Sequence, residues 1–297
     1  MIQREHRFKL GLAGAALALT VLTFIAIGPT ACRASTQVSV SVGGVSRTYF
    51  VYTPKSYSAG QAVPVVFVLH PLTKDAAWAE HIMGWDQCAD KNGFIVVYGQ
   101  SAADRGVWNA GVTRSERASG YDDVSYLEAV MDAVDGAYTV DMSHVYMVGF
   151  SAGAIMTAKM GATIPKSLTA VATVEGMTGY ADQDVLVPSS PLSIITFRGT
   201  ADEINPYTSG IESPLFHAKL YSATGTAADW AQADGCTTAP TTTQVNSHIV
   251  ITDYTGGVGG AEVQLMTVNG GKHEYKPEDT DLIWQFFKTQ SKATEKP

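Results

Sequence analysis

The sequence predicts an α/β protein: a mostly parallel central sheet with helices on both faces and an antiparallel hairpin at its N-terminal side. Three observations predict it. Apolar runs of strand length alternate with helix-patterned segments along most of the chain. Residues 37–42 and 45–52 alternate with period two about Gly43-Gly44. The run Val145-Tyr146-Met147-Val148 passes through Gly149-Phe150-Ser151-Ala152-Gly153 directly into the helix-favouring Ala154-Ile155-Met156-Thr157-Ala158-Lys159. Strands that alternate with helices form parallel sheets joined by helical crossovers, and a two-glycine link supplies the positive φ angles a tight hairpin needs.

Taken in order, the first 34 residues differ in kind from the rest. Arg4, Arg7 and Lys9 precede an apolar stretch over 10–28, and small residues follow through Ala34, the layout of an export signal. The stretch is nearly long enough to span a bilayer, so an uncleaved anchor that holds the protein to the cell envelope is the alternative. Cys32, after Pro29-Thr30-Ala31, only loosely matches a lipoprotein cleavage site. Residues 35–297 read as a single domain, with no repeat, Pro-rich linker or charge block. Within it, 63–70, 192–197 and 261–268 read as strands, and 123–137 and 281–288 as amphipathic helices whose Tyr126, Leu127, Val130, Ile283, Trp284 and Phe287 face the core. The threonine-rich 237–243 reads as a loop.

Composition excludes several function classes. A net charge of −8, more acidic still once the basic leader is removed, is unsuited to nucleic acid. Seven histidines and three cysteines show no short metal-ligand spacing, and no phosphate loop appears, so neither metal nor cofactor is expected. Gly256-Gly257-Val258-Gly259-Gly260 lacks a following helix and reads as a hairpin turn rather than a dinucleotide fingerprint. Cys88 and Cys236 would remain in an oxidising compartment, where a bridge between them is open.

The chemistry-bearing pattern centres on Ser151. A serine between glycines at a strand-to-helix turn is lifted into the open, because a Cβ at 149 or 153 would collide with neighbouring backbone, and the helix that follows points its free N–H groups at any oxyanion formed there. A carboxylate and a histidine then follow at later strand ends. Asp202 lies on the loop after 192–197, and His273 follows 261–268 through Asn269-Gly270-Gly271-Lys272. Nucleophile, acid and base in this order support acyl transfer: the imidazole takes the serine proton and the carboxylate fixes its tautomer. Glu203 is the alternative acid, and His81 and His217 are the weaker alternatives to His273. Pro71 has no N–H, so the oxyanion donors fall to Leu72 and Ala152, with Thr73 in reserve. His70 reads as a loop brace.

These pieces resemble a known family. Leu69-His70 with its loop, Gly93-Phe94-Ile95-Val96-Val97-Tyr98, Trp108-Asn109, Asp122-Asp123-Val124, the serine turn, Gly199-Thr200-Ala201-Asp202 through Pro206-Tyr207, and Gly270-Gly271-Lys272-His273 occur collinearly. They make the chain similar, over about 48–287, to the secreted α/β-hydrolase esterases that include polyhydroxybutyrate depolymerases, feruloyl esterases and acetylxylan esterases. The resemblance implies a Ser151, Asp202, His273 triad and a substrate-side place for Trp108 and Asn109. The chain departs from the family in having Pro71 where glycine is usual, and Glu274-Tyr275-Lys276-Pro277 where a tryptophan and proline are usual. A second cysteine partner for Cys236 would fall near Thr255, so that family bridge is expected to be absent. The expected activity is hydrolysis of a polymeric or aromatic carboxylic ester. A peptidase or acyltransferase on the same fold, or a non-catalytic envelope or carbohydrate-binding protein, is the alternative.

Overall fold

The computed structural model describes residues 35–292 except 113–115, 117, 177, 181–184 and 216. The leader and Cys32 lie outside the described residues. Chain order is β1 (Thr36–Val42), β2 (Val45–Tyr52), β3 (Val63–Leu69), α1 (Ala76–Ile82), α2 (Trp85–Asn92), β4 (Ile95–Gly99), α3 (Asp123–Ala137), β5 (Val140–Phe150), α4 (Ala152–Thr163), β6 (Ala170–Val174), β7 (Ser193–Gly199), β8 (Glu212–Ser213), β9 (Ala218–Lys219), α5 (Ala223–Ala233), β10 (Thr241–Gln244), β11 (Ile249–Tyr254), β12 (Val263–Val268) and α6 (Pro277–Phe287).

The main sheet runs β1-β2-β4-β3-β5-β6-β7-β12-β11-β10, and β8 and β9 pair separately. From β4 to β12 neighbouring strands are parallel, and an antiparallel pair closes each edge. The central strands β4, β6 and β7 are buried at every position, as strands covered on both faces must be, whereas β10 is exposed throughout. The β1–β2 turn takes φ of +57° at Gly43 and +81° at Gly44, the left-handed region that favours glycine.

Two apolar cores flank the sheet. One packs Leu127, Val130 and Val134 of α3, Ile155 and Met160 of α4 and Trp230 of α5 against it. The other packs Ala79 of α1, Trp85 and Cys88 of α2 and Ile283, Trp284 and Phe287 of α6 against the opposite face. Helix α3 begins where Asp122 accepts a hydrogen bond from Ser125 N–H at 2.9 Å. A buried ion pair, Arg47 to Asp123 at 2.6 Å, ties β2 to the start of α3.

Three expectations need correction. Thr241, Thr242 and Thr243 are not loop but edge strand β10, held by pairing to β11 despite having no buried face. Helix α6 starts at Pro277 rather than near 281, because a proline at the first helical position costs no hydrogen bond and the Asp279 carboxylate accepts from the Lys276 N–H at 2.9 Å to close the turn. Cys88 and Cys236 are both free and pack with opposite cores, on either side of the sheet, which rules out the bridge between them. Residues 256–260 do link the antiparallel strands β11 and β12. Among the described residues no helix is long and apolar enough to cross a membrane.

Candidate active site

Ser151 stands between β5 and α4 with φ +54° and ψ −116°, a conformation that costs an ordinary L-residue about 1–3 kcal/mol. Its N–H donates to the Val174 carbonyl at 2.9 Å, anchoring the turn to the end of β6. The flanking glycines are steric necessities. A Cβ at 149 would lie 2.1 Å from the Gly153 carbonyl oxygen, and one at 153 would lie 2.2 Å from that of Leu69 and 2.7 Å from that of His70. Helix α4 therefore meets the loop after β3 at backbone contact. Its serine makes no capping bond, which leaves Oγ free for other partners.

Asp202 and His273 are carried on two loops that are laced together beyond β7 and β12. Ala201 N–H donates to the Gly271 carbonyl at 2.9 Å, Gly270 N–H donates to Thr200 Oγ1 at 2.8 Å, and a Cβ on Gly199 would lie 2.3 Å from the Gly271 oxygen. These contacts bring the side chains to the serine. His273 Nε2 lies 2.9 Å from Ser151 Oγ, and His273 Nδ1 lies 2.8 Å from Asp202 Oδ2. The other carboxylate oxygen of Asp202 accepts N–H bonds from Ile204 at 2.7 Å and Asn205 at 2.8 Å. Burial pushes the Asp202 carboxyl upward, but the hydrogen bond and charge of His273, with the Asn205 N–H, outweigh it and hold the group below the ordinary carboxylate range. An ionised Asp202 on Nδ1 leaves Nε2 as the atom able to accept the serine proton. Ser151 is 9 % exposed and the His273 side chain 19 %, so the relay reaches the surface.

Glu203 is exposed, and His81, His217 and His248 lie in exposed positions away from this relay. His144 pairs instead with Asp141 at 2.7 Å. His70 is fully buried: its Nδ1–H donates to the Pro71 carbonyl at 3.0 Å and its Nε2 accepts from Ser101 N–H at 3.2 Å. Burial pulls the ring down to about 4 despite the Pro71 carbonyl, so it braces the loop as a neutral imidazole. Thr73, with φ +66°, spends its N–H on the Arg105 carbonyl at 2.6 Å, which removes it as a reserve oxyanion donor. Among the described residues, no backbone carbonyl accepts from the N–H groups of Leu72 and Ala152. Ala152 is the first residue of α4, where an N–H has no intrahelical acceptor.

Trp108 lies in the core rather than at a substrate surface. It is 1 % exposed, its Nε1–H donates to the His70 carbonyl at 2.9 Å, and its ring packs 4.9 Å from that of His70. Asn109 donates its backbone N–H to Asp123 at 2.6 Å and its amide to the Tyr121 carbonyl at 2.7 Å. Both hold the framework behind the β3 loop. An aromatic contact to the relay comes from Phe150, whose ring centroid lies 5.3 Å from that of His273, with half-buried Trp78 stacked beyond it at 6.3 Å.

Sequence reasoning passes over three buried polar residues beneath the acid loop: Glu175, Arg198 and Asn205. The one signal for Glu175 is a lone charge directly after the all-apolar strand Ala170–Val174. Among the described residues no cluster of His, Cys, Asp or Glu could hold a metal ion. A cleft of about 670 Å³ opens at the opposite end of the sheet, beside Pro165, Leu168, Pro191 and Val258, and shares no lining residue with the relay.

The chain matches the model of the family "Esterase PHB depolymerase" over residues 47–228. It is similar to feruloyl esterase B of Piromyces equi, 26 % identical over 249 residues, which covers 82 % of this chain and 45 % of that protein. It is similar also to the bifunctional acetylxylan esterase/xylanase XynS20E of Neocallimastix patriciarum, 24 % identical over 82 % of this chain and 33 % of that one. Poly(3-hydroxyalkanoate) depolymerase C of Paucimonas lemoignei is 29 % identical over 51 % of this chain and 37 % of its own. The chain thus spans between a third and a half of the length of these relatives. Among solved structures, the acetyl xylan esterase from Aspergillus awamori superposes with a TM-score of 0.62 at 17 % identity, covering 85 % of this chain and 99 % of that one. A ferulic acid esterase from Anaeromyces mucronatus, solved with ferulic acid, superposes with a TM-score of 0.57 at 15 % identity over 86 % and 90 % of the two chains. With a family model that covers well over half its length and an α/β-hydrolase fold shared with these esterases, the chain belongs to the esterase PHB depolymerase family.

Proposed function

We propose that the protein is an exported serine esterase that hydrolyses carboxylic esters through an acyl-enzyme on Ser151. The observation that carries this reading is the continuous hydrogen-bonded line from Ser151 Oγ through His273 to Asp202, 2.9 and 2.8 Å in its two links, made by residues 71 and 122 positions apart in the chain. In the first half-reaction Ser151 Oγ attacks the acyl carbon while His273 Nε2 takes its proton. The resulting oxyanion is met by the N–H groups of Leu72 and Ala152, and the alcohol departs with the proton from His273. Water, deprotonated by the same imidazole, then releases the acid and restores the serine. Nothing in this cycle requires a cofactor.

The substrates named for the relatives, feruloyl and acetyl esters of polysaccharide or a polyhydroxyalkanoate, define the class we assign to this chain. The exposure of the relay suits a polymer chain laid across it, and Trp78, coupled through Phe150 to His273, gives an aromatic acyl group a ring to pack on. The test is a panel of methyl ferulate, acetylated xylan, polyhydroxybutyrate and a short-chain nitrophenyl ester, with a phosphonate probe to trap the nucleophile. Turnover of at least one ester, with the adduct on Ser151, supports the proposal. Hydrolysis of amides alone, or no turnover and no adduct, overturns it in favour of a peptidase or a non-catalytic envelope protein.

A further inference from the structure

A second carboxyl group lies behind the proposed triad. Glu175 directly follows β6 with φ +48°, a backbone conformation uncommon for any residue but glycine, asparagine or aspartate. The surroundings hold it there. Its N–H donates to the Phe197 carbonyl at 3.0 Å and its own carbonyl accepts from Asn205 Nδ2 at 2.5 Å. The residue is 3 % exposed. Oε1 accepts from Gly199 N–H at 2.8 Å, while Oε2 is buried, makes no direct hydrogen bond of good geometry, and lies 4.0 Å from Arg198 Nε. Asn205 ties Glu175 to Asp202, since the same residue donates its amide to the Glu175 carbonyl and its backbone N–H to the Asp202 carboxylate at 2.8 Å, and the two carboxyl groups influence each other's ionisation.

Charge counting fixes which acid holds a proton. One buried cation, Arg198, sits beside two buried carboxyls, so ionisation of either carboxyl disfavours ionisation of the other. Asp202 has two backbone N–H donors and His273 to stabilise its charge; Glu175 has one N–H and a distant guanidinium. Burial, with the Asp202 charge beside it, pushes the Glu175 carboxyl up to about 9 against the pull of Arg198. Since Gly199 occupies Oε1, the proton belongs on Oε2, the oxygen otherwise left without a partner. Lys272, Glu274, Lys276 and Asp279 line, together with Glu175, a cavity of about 20 Å³, room for about one water.

We propose that Glu175 is a positioning residue: as a neutral acid it donates a hydrogen bond to the Asp202 carboxylate and so holds that carboxylate on His273 Nδ1. The proposal rests on the triad reading above. It makes two demands on the kinetics. Loss of the donor lowers kcat with little change in KM, because Glu175 touches no substrate. Ionisation of Glu175 near pH 9 turns the donor into a like charge beside Asp202, so activity declines on the alkaline side.

The experiment compares wild type with Glu175→Gln, which keeps a donor and cannot ionise, and Glu175→Met, which removes the donor at similar volume. kcat and KM on a nitrophenyl acetate are measured from pH 6 to 10.5, with thermal melts of each sample. Glu175→Gln is expected to stay within about threefold of wild type at pH 7 and to lose the alkaline decline. Glu175→Met is expected to lose roughly 10- to 100-fold in kcat, the weight of one hydrogen bond to a charged group. If Glu175→Met fails to fold, the Gln profile alone decides. An alkaline limb unchanged in Glu175→Gln overturns the proposal. Ser151→Ala run in parallel separates the two readings: an active Ser151→Ala removes the triad itself, whereas an inactive one beside an unchanged Glu175→Gln profile removes only the role of Glu175.

Discussion

Gly153→Ala isolates the contact between the serine turn and the loop that carries the proposed oxyanion donor. The added Cβ would stand 2.2 Å from the Leu69 carbonyl oxygen, and Cβ atoms in folded chains essentially never come within 3.0 Å of such an atom, so α4 and the β3 loop must part by about 0.8 Å. Leu72 lies three residues along that loop, and Ser151 two residues before the substitution. A misplacement on the order of 1 Å between nucleophile and oxyanion donor costs about 10²-fold in rate, equivalent to ~2.7 kcal/mol of transition-state stabilisation. Forcing a methyl group into packed backbone also costs ~1–3 kcal/mol of stability. Gly161→Ala, on the same helix, is the control. Its Cβ would meet only the side chains of Trp230 at 3.1 Å and Leu192 at 3.2 Å, which can yield by a few tenths of an ångström. Steady-state kinetics on a soluble nitrophenyl ester, with urea denaturation of the same samples, should show a fall of about 100-fold in kcat for Gly153→Ala and wild-type kcat for Gly161→Ala. A Gly153→Ala enzyme within about threefold of wild type would refute the idea that this backbone contact sets the active geometry.

Asp202→Asn should lose about 10⁴-fold in kcat by presenting an amide to His273, while exposed Glu203→Gln stays near wild type; the reverse ranking would transfer the role to Glu203. Pro71→Gly should lower kcat more than it raises KM, by loosening the loop that presents Leu72, and unchanged constants would reduce Pro71 to a shaping role. Asp123→Asn strands the buried Arg47 guanidinium and should cost about 3–5 kcal/mol in urea melts; a loss below about 1 kcal/mol would deny the pair any part in fixing β2 to α3. His70 is held neutral, its folded value of about 4 lying below the usual 6.5, so the unfolded chain binds more protons between those values and stability falls as pH drops from about 6.5 to 4. His70→Gln, which keeps one donor and one acceptor, should flatten that slope in pH-dependent melts; an identical slope would place the acid lability elsewhere.

Legibility followed the physics of each element. The β1–β2 hairpin was readable because two glycines declare positive φ, and α3 because Tyr126, Leu127 and Val130 recur at helical spacing and are all buried. The serine turn was readable for the same steric reason that makes Gly149 and Gly153 irreplaceable. Edge strand β10 was not, since Thr241 to Gln244 bury nothing and owe their conformation to β11. Which side of the sheet a residue occupies is equally silent in one dimension: Cys88 and Cys236 gave no sign that a whole sheet separates them. Trp108 beside Asn109 carried a motif without saying that the indole points inward to hold His70. Glu175 was hidden because its partners, Gly199, Asn205 and Asp202, come from a strand and loop some 24 to 30 residues away.

The strand order also sets a timetable. Ser151 and Asp202 emerge on strands that can pair as soon as they are made, but His273 follows β12, which inserts beside β7 only after α5 and the β10–β11 pair have been laid down. On the proposed roles, a chain not yet made past β11 carries an idle hydroxyl. Completion of the last parallel pairing is then the step that brings the base to the nucleophile. Folding and activation then become a single event, with the imidazole arriving last.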